Sequence, residues 1–139
     1  MVDTDTIEVV WIWGTNRVRL VGIDAPESKD GRKLRDQAER LGVDAGSLLA
    51  ISATIIRQAG TALTGKRLRL VFPNRAIERD AFGRLLAYVE VNRSDFGAML
   101  LRNGLVYPRV EGHPRKAEYL AMNDLAIEQK KGIYGLRRR

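Results

Sequence analysis

Two short runs of β-branched and aromatic residues open the chain, at residues 6–13 (TIEVVWIW) and 17–23 (RVRLVGI). Runs of this kind are typical of β-strands. The residues between them, Gly14-Thr15-Asn16, include two types that favour turns. The pattern therefore predicts a β-hairpin at the start of the chain.

Two more strands are predicted further along, at residues 67–72 (RLRLVF) and 85–91 (LLAYVEV). In the first of them arginine alternates with leucine, which gives one face for a core and one face for water. Pro73-Asn74 ends the first strand and Asn92-Arg93 ends the second, because these residues favour turns.

Apolar residues recur at helical spacing over residues 45–63 and predict a long helix there. Asp44 is placed to cap its first turn, and Gly65 lies just past its end. A shorter and more polar helix is predicted over residues 31–40. Both would lie between the second and third strands.

Two further helices are predicted in the C-terminal half. One is capped by Ser94 or Asp95 and stops at Gly104, and the other has Pro114 in its first turn and runs to Lys131. The strands come first and the helices are interspersed without regular β-α-β alternation. This order predicts a single α+β domain, since no repeat or linker divides the chain.

Composition narrows the possible chemistry. The chain has 139 residues, of which 45% are hydrophobic, enough for the core of one domain. It has no cysteine and one histidine, His113, which excludes disulfides, cysteine nucleophiles and multi-histidine zinc sites. No apolar run is long enough to cross a bilayer, and the acidic start MVDTDTIEVV is unlike a signal peptide.

The net charge of +7 points to a polyanionic partner. It arises from 24 lysines and arginines against 17 aspartates and glutamates. Such an excess attracts nucleic acids and speeds their encounter with the protein. Many soluble proteins are basic without binding nucleic acid, so charge alone leaves both interpretations open.

A group of acidic residues is expected at one edge of the hairpin. Asp24 and Glu27 follow the second strand in RLVGIDAPES, with Pro26 stiffening the turn between them. Asp3 and Asp5 precede the first strand, whose start lies beside the end of the second in a hairpin. Carboxylates placed in this way suit a hard cation. The alternative is that they are ordinary turn acids.

Arginines and aromatic residues supply candidate contacts to a phosphate and a base. Arg19 lies inside the second strand, and Arg84 follows the Phe82-Gly83 turn. A guanidinium group binds phosphate oxygens bidentately and keeps its charge, although a single arginine is more often a surface residue. Phe82 and Tyr107 could stack against bases.

Several of these segments together resemble the staphylococcal nuclease family. VRLVGIDAPES (18–28) resembles the family's strand-end segment, and DAFGRLLAYV (80–89) resembles its second signature. DTDTI (3–7) resembles its Asp-Gly-Asp-Thr opening. The helix-end and C-terminal patterns are similar to residues 100–106 and 130–135. The segments occur in the family's order from residue 3 to about 135, which makes the joint signal strong.

The resemblance implies an OB-type β-barrel with Greek-key topology and flanking helices. It also implies a calcium-dependent nuclease that hydrolyses DNA and RNA with little sequence specificity. Calcium would be held by Asp5, Asp24 and the backbone carbonyl of Ala25.

Catalytic roles also follow from the resemblance. Glu27 would orient or deprotonate the attacking water, and Arg19 and Arg84 would hold the scissile phosphate and stabilise its charge. The alternative is a weak or inactive nuclease-like module that binds nucleic acid. The joint presence of Arg19, Asp24, Glu27 and Arg84 favours the enzyme, because a degenerate copy has no reason to keep them all.

The chain departs from the family's pattern in four places. Ala25 stands where threonine is usual, and Thr4 replaces a glycine. Residues 28–43 are the expected insertion and could form a lid or contact substrate. The family's strand before the Asp-Gly-Asp-Thr segment is absent from this chain, so either the barrel has an open edge or another segment or subunit supplies the strand. The hypothesis is strand exchange or edge pairing in a homodimer. Family resemblance slightly favours a secreted or periplasmic location.

Overall fold

The computed structural model describes residues 5–11 and 14–137, with the backbone alone for Trp11. This part of the chain contains four α-helices, seven short strands and one 3₁₀ helix. The mixture of helices and strands confirms the predicted α+β class. Among the described helices, none combines the length and apolar character needed to span a bilayer.

The chain begins with the predicted hairpin. Strand β1 (Thr6–Trp11) pairs antiparallel with β2 (Gly14–Leu20), in a register that runs from Thr6↔Arg19 to Trp11↔Gly14. The turn prediction was wrong for Gly14-Thr15-Asn16, because these residues belong to β2. Their backbone groups take part in the ladder opposite β1, and this pairing overrides their preference for turns.

The strand predicted over residues 17–23 is divided in the structure. β2 ends at Leu20, and a separate strand β3 (Gly22–Asp24) follows. Gly22 has φ +83°, and a Cβ atom there would lie 2.9 Å from a ring carbon of Tyr119. Only glycine fits this bend. As a result, β3 leaves the hairpin and pairs antiparallel with β7 (Tyr107–Arg109).

The main sheet joins the hairpin to strands β4 (Leu68–Val71) and β5 (Leu85–Val91), in the order β1-β2-β5-β4. Strands β4 and β5 match their predicted positions closely. β5 is parallel to β2 and antiparallel to β4, and a short β6 (Ser94–Asp95) also pairs with β5. The described strands form this sheet and the β3-β7 ribbon without closing a barrel, so the OB-type barrel stays a prediction.

Two helices lie between β3 and β4, as predicted. They are α1 (Arg32–Leu41) and α2 (Ala45–Leu63). The Asp44 carboxylate accepts a hydrogen bond from the Ser47 amide at 3.0 Å, which confirms the predicted N-cap.

Two helices follow β5, and only the second departs from its predicted bounds. Helix α3 (Phe96–Arg102) is capped by Asp95, whereas α4 (Lys116–Glu128) is shorter than predicted at both ends. The end of α4 is set by Lys130, whose positive φ of 53° reverses the chain. A 3₁₀ helix (Gly132–Leu136) then follows.

The apolar side chains form two clusters. The larger lies between the sheets, α3 and α4 and includes Val18, Leu20, Leu85, Val89, Phe96, Leu100 and Tyr119. The smaller joins α1, α2 and the 3₁₀ helix through Leu34, Ala38, Val43, Leu48, Ile55 and Ile133. Burial of Leu34 and Ala38 fixes α1 against α2 despite its polar sequence. The expected insertion is therefore a packed element of the fold.

Candidate functional site

Asp5 and Asp24 both lie close to one guanidinium group. Asp5 directly precedes β1, Asp24 ends β3, and Arg19 is near the end of β2. The Nη2 atom of Arg19 is 3.6 Å from a carboxylate oxygen of Asp5 and 3.6 Å from one of Asp24. The structure thus brings the two acids together as the hairpin predicts, while Asp3 lies outside the described residues.

Asp5 is held firmly in place. It is 9% exposed, its Oδ2 accepts a hydrogen bond from the Ala25 amide at 3.2 Å, and Thr6 Oγ1 donates to its Oδ1 at 3.2 Å. The Leu20 amide donates to its backbone carbonyl at 2.8 Å, which ties it to the end of the hairpin. The Asp5 side chain therefore reaches the turn that follows Asp24.

The pKa of Asp24 is raised above its usual value of 3.8. Burial is the largest cause; Arg19 opposes it, and the neighbouring Asp5 raises the pKa further. Arg109, with Nη1 3.7 Å from Asp24 Oδ2, also opposes the rise. The effect of burial on this half-buried carboxylate therefore outweighs that of the two neighbouring arginines.

Arg19 is fixed by the backbone that follows it. Its Nη1 atom donates to the carbonyl of Leu20 at 2.5 Å and to that of Ile23 at 2.9 Å. Both carbonyls belong to the bend around Gly22. The division between β2 and β3 therefore aims this side chain at the acid pair.

Arg84 joins the same group of residues through Thr6. Its Nη1 donates to Thr6 Oγ1 at 3.0 Å, and the Thr6 hydroxyl donates in turn to Asp5. Its Nε is 2.6 Å from Asp80 Oδ2. The backbone amides of Phe82 and Arg84 both donate to Asp80 Oδ1 at 2.9 Å, so Asp80 shapes the turn as well as the side chain.

These bonds lower the pKa of Asp80 below its usual value of 3.8. Burial acts in the opposite direction as the largest single influence, and it is outweighed by the amide and guanidinium of Arg84 together with the amide of Phe82. Asp80 is therefore a stable anion beside Arg84.

A cleft of about 410 Å³ opens beside Arg19 and Arg84. Its charged and titratable lining consists of Arg19, Arg84, Arg109, Asp80, Glu111 and His113. Burial lowers the pKa of His113, and the charge of Arg19 lowers it further. The cleft therefore presents three guanidinium groups against two carboxylates, an excess of positive charge that favours an anion such as a phosphate group.

Glu27 lies next to this group of residues without sharing its ion pairs. It is half-buried, and its backbone amide donates to Gln37 Oε1 at 2.7 Å. Among the described residues no ion pair involves its carboxylate, and it is not part of the cleft lining. The structure thus links Asp5, Asp24, Ala25 and Arg19 by direct contacts and Arg84 through Thr6, and it leaves Glu27 three residues beyond Asp24.

The two predicted base-contacting residues differ in exposure. Phe82 is 84% exposed, and Arg84 Cζ lies 5.5 Å from the centre of its ring. Tyr107 is half-buried opposite Asp24, and its hydroxyl accepts a hydrogen bond from Gln37 Nε2 at 2.6 Å. Burial, with a smaller contribution from Asp24, raises the pKa of Tyr107 to about 12. Phe82 has the free ring face that stacking requires.

Sequence reasoning missed four residues that organise this region, namely Thr6, Gln37, Asp80 and Arg109. Thr6 and Asp80 stand inside the quoted family segments, so the segments carried a signal for them. Gln37 lies in a polar helix whose local pattern gives no sign of buried contacts. Arg109 gave no sequence signal because its neighbour across the β3-β7 ribbon is distant in sequence.

The possible metal ligands are few. In the described part of the chain no group of three or more histidine, cysteine, aspartate or glutamate side chains could hold a metal ion. A cation site here would rest on the Asp5 and Asp24 carboxylates with a backbone oxygen. Oxygen atoms of this kind are ligands for a hard cation.

Comparison with known proteins adds independent information. Residues 17–135 match the model of the family described as staphylococcal nuclease homologue. The chain is 36% identical over 104 residues to the SPbeta prophage-derived endonuclease YokF of Bacillus subtilis, covering 75% of this chain and 30% of that protein. It is 34% identical over 104 residues to the endonuclease YncB of the same organism, covering 75% and 43%.

A third relative is an uncharacterised protein of Methanocaldococcus jannaschii. It is 28% identical over 141 residues, covering 96% of this chain and 68% of the relative. The chain spans less than half the length of the two Bacillus endonucleases.

Proposed function

The chain belongs to the staphylococcal nuclease homologue family, and on that basis we propose that it is a calcium-dependent endonuclease acting on DNA and RNA. The family and the two endonuclease relatives support a nuclease-like function. The observation that carries the proposal is the continuous contact between the acid pair, Arg19 and Arg84 at the edge of an arginine-lined cleft.

Asp5 and Asp24 would hold the calcium ion, with the carbonyl of Ala25. Their oxygens fit this ion because Arg19 Nη2 already lies 3.6 Å from each carboxylate, so one cation is able to face both acids. Gln37 uses one lone pair of the Ala25 carbonyl and leaves the other. Bound calcium would polarise the phosphoryl group and neutralise its charge.

Arg19 and Arg84 would bind the non-bridging oxygens of the scissile phosphate. Their guanidinium groups keep their charge and are held in place by protein acceptors, so little reorganisation is needed as negative charge builds up. Glu27 would take the proton from water as the water oxygen bonds to phosphorus. The bond from phosphorus to the leaving sugar oxygen then breaks, and solvent protonates that oxygen.

Little base specificity is expected from this arrangement. The charged groups lining the cleft suit phosphate oxygens, and contacts to phosphate carry no sequence information. The exposed ring of Phe82, beside Arg84, would stack against any base. This is the basis for proposing both DNA and RNA as substrates.

One observation favours a second candidate, a nuclease-like module that binds nucleic acid with little or no activity. Both acids of the proposed metal site are already ion-paired with Arg19, and the described residues supply no third acidic or histidine ligand. If Arg19 outcompetes calcium for these carboxylates, binding would remain and cleavage would be lost.

A cleavage assay distinguishes the two. Wild-type protein is incubated with single- and double-stranded DNA and with RNA, in calcium or in chelator, beside a Glu27→Gln variant. We expect cleavage that requires calcium and falls by about 100-fold or more in the variant, the range for loss of a general base. Glu128→Gln, an exposed change at the end of α4, is the matched control. Binding without cleavage would favour the second candidate.

A further inference from the structure

A single glutamine on α1 holds the turn between Asp24 and Glu27. Gln37 is 6% exposed. Its Oε1 accepts from the Glu27 amide at 2.7 Å, and its Nε2 donates to the Ala25 carbonyl at 3.1 Å and to the Tyr107 hydroxyl at 2.6 Å. A backbone amide only donates and a carbonyl only accepts, so these partners fix the orientation of the carboxamide.

The helix that carries Gln37 is firmly anchored. Leu34 and Ala38, on the same face of α1, are buried in the smaller apolar cluster against α2. Ser52 of α2 donates to the Pro26 carbonyl at 3.3 Å. The two helices therefore form hydrogen bonds with the turn at three consecutive residues, Ala25 to Glu27.

We propose that Gln37 is a positioning residue, which sets the backbone that carries the Ala25 carbonyl and the Glu27 carboxylate. The inference rests on the proposed function, because it concerns the residues assigned there as metal ligand and general base. It also gives the inserted segment 28–43 a role, since that segment supplies the support. Gln37 acts through Ala25 and Glu27 without contacting substrate.

The physical reason is that Gln37 supplies the hydrogen-bond partner of both the Glu27 amide and the Ala25 carbonyl, whereas the Ala25 amide and the Pro26 carbonyl are held by other residues. Without the carboxamide, the Glu27 amide and the Ala25 carbonyl lose their partners and would have to move to find others. A displacement of about 1 Å at a catalytic group can lower turnover about 100-fold. Arg19 and Arg84 would keep their own acceptors, so substrate affinity should be preserved.

The test is the variant Gln37→Met in the full chain. Methionine has an unbranched side chain of similar length and no amide, so it fills the space without the hydrogen bonds. We expect kcat to fall about 10- to 100-fold, and calcium affinity measured by titration calorimetry to weaken within the same range. KM for DNA should stay within about threefold, because the phosphate-binding arginines are unchanged.

A second measurement does not depend on activity. The hydrogen bond to Gln37 Oε1 should protect the Glu27 amide from hydrogen exchange in chelator. In Gln37→Met that exchange should be about tenfold faster or more, as expected for loss of a hydrogen bond worth about 1.4 kcal/mol.

Tyr134→Phe is the control for general destabilisation. It removes a buried hydrogen bond to Asn123, which lies away from the turn on α4. Its kcat and its Glu27 exchange should match the wild type. In a Glu27→Gln background at saturating calcium, Gln37→Met should add less than about a threefold further loss, because the residue through which it acts is already removed.

Wild-type kcat and unchanged Glu27 exchange in Gln37→Met would overturn the proposal, and so would equal losses in Tyr134→Phe. If Gln37→Met lowered kcat as much in the Glu27→Gln background as in the wild type, Gln37 would act through residues other than Glu27. If the wild type does not cleave, the proposed function fails and Gln37 has no catalytic role. Glu27 exchange in the variant would then still decide whether Gln37 holds the turn.

Discussion

At the scale of single residues, Asp80 positions both a turn and the Arg84 side chain. One carboxylate oxygen accepts the amides of Phe82 and Arg84, and the other accepts Arg84 Nε at 2.6 Å. The same turn leaves the Phe82 ring exposed beside the guanidinium. The directions of the proposed phosphate-binding and base-stacking groups thus depend on one acid.

Asp80→Asn tests this dependence. The amide keeps an acceptor for the turn but turns an N–H toward Arg84, so we expect kcat/KM to fall about tenfold or more. The free energy of unfolding should fall by about 1 kcal/mol at pH 7, because the ion pair is partly exposed. Activity assays and urea unfolding would measure the two effects.

The pH dependence of this loss has a definite sign. The pKa of Asp80 is lower in the folded protein than the usual 3.8, so its stabilising contribution is complete above pH 3.8. It disappears as the pH falls through the lowered pKa. The stability difference between wild type and Asp80→Asn should therefore be full at pH 7 and shrink below pH 3.8. Asp30→Asn, at an exposed pair with Arg35, should show less than about 0.5 kcal/mol at any pH.

At the scale of helices and strands, two glycines allow α3 and the 3₁₀ helix to meet backbone to backbone. Gly104 follows α3 with φ +67°, and Gly132 begins the 3₁₀ helix with φ +52°. The Ile133 amide donates to the Gly104 carbonyl at 2.8 Å. A Cβ on Gly104 would lie 2.1 Å from the Lys131 carbonyl oxygen.

Gly104→Ala should therefore be strongly destabilising. The methyl group would collide with backbone atoms that cannot rotate away, and we expect a loss of at least about 3 kcal/mol in the free energy of unfolding. Gly112→Ala is a matched control, with φ +72° and no atom within 4 Å of the added Cβ. It should lose only about 1 kcal/mol from the positive φ. Equal losses of unfolding free energy in the two variants, measured in urea, would show that α3 and the 3₁₀ helix do not meet backbone to backbone.

The same contacts explain which elements the sequence could predict. Helix α2, helix α3 and strand β5 matched because their signals are local, such as the Asp44 and Asp95 caps. The break before Gly22 depends on the Tyr119 ring, nearly a hundred residues away. Helix α4 ends earlier than predicted in a segment that packs against Gly104. Local patterns carry no information about such distant neighbours.

The residues of the candidate site fall into the same two groups, those with a local sequence signal and those without one. Asp24 and Arg84 were found because they stand inside distinctive segments, and Asp5 followed from hairpin geometry. Gln37 was missed because its partners Ala25 and Tyr107 lie 12 and 70 positions away. No pattern around a glutamine in a polar helix reveals those contacts. Metal binding and catalytic roles stay predictions until activity is measured.

At the scale of the whole molecule, the net charge of +7 could attract nucleic acid in two ways. The total field could draw the polyanion to any part of the surface, or the three arginines of the cleft could bind particular phosphates. The two differ in how removal of a single charge acts at different positions. Only binding by the cleft arginines makes the effect of removing a charge depend on where that charge lies.

Arg109→Gln and Arg57→Gln separate these possibilities, since each lowers the net charge by one. Arg109 is exposed and lines the cleft, whereas Arg57 is exposed on α2 outside it. Binding to single-stranded DNA would be measured by anisotropy in the Glu27→Gln background, at several salt concentrations. If the cleft arginines bind phosphates, affinity should fall roughly 20-fold between 50 and 200 mM salt for three neutralised phosphates.

In Arg109→Gln the slope of log affinity against log salt should become shallower by about 0.7, the contribution of one phosphate on a single strand. Arg57→Gln should leave the slope unchanged, because its charge contacts no phosphate in the cleft. Equal changes in both variants would mean that the total field governs binding. Substrate would then reach the acid pair without a dedicated contact from Arg109, whose exposed side chain would serve only to balance the charge of Asp24.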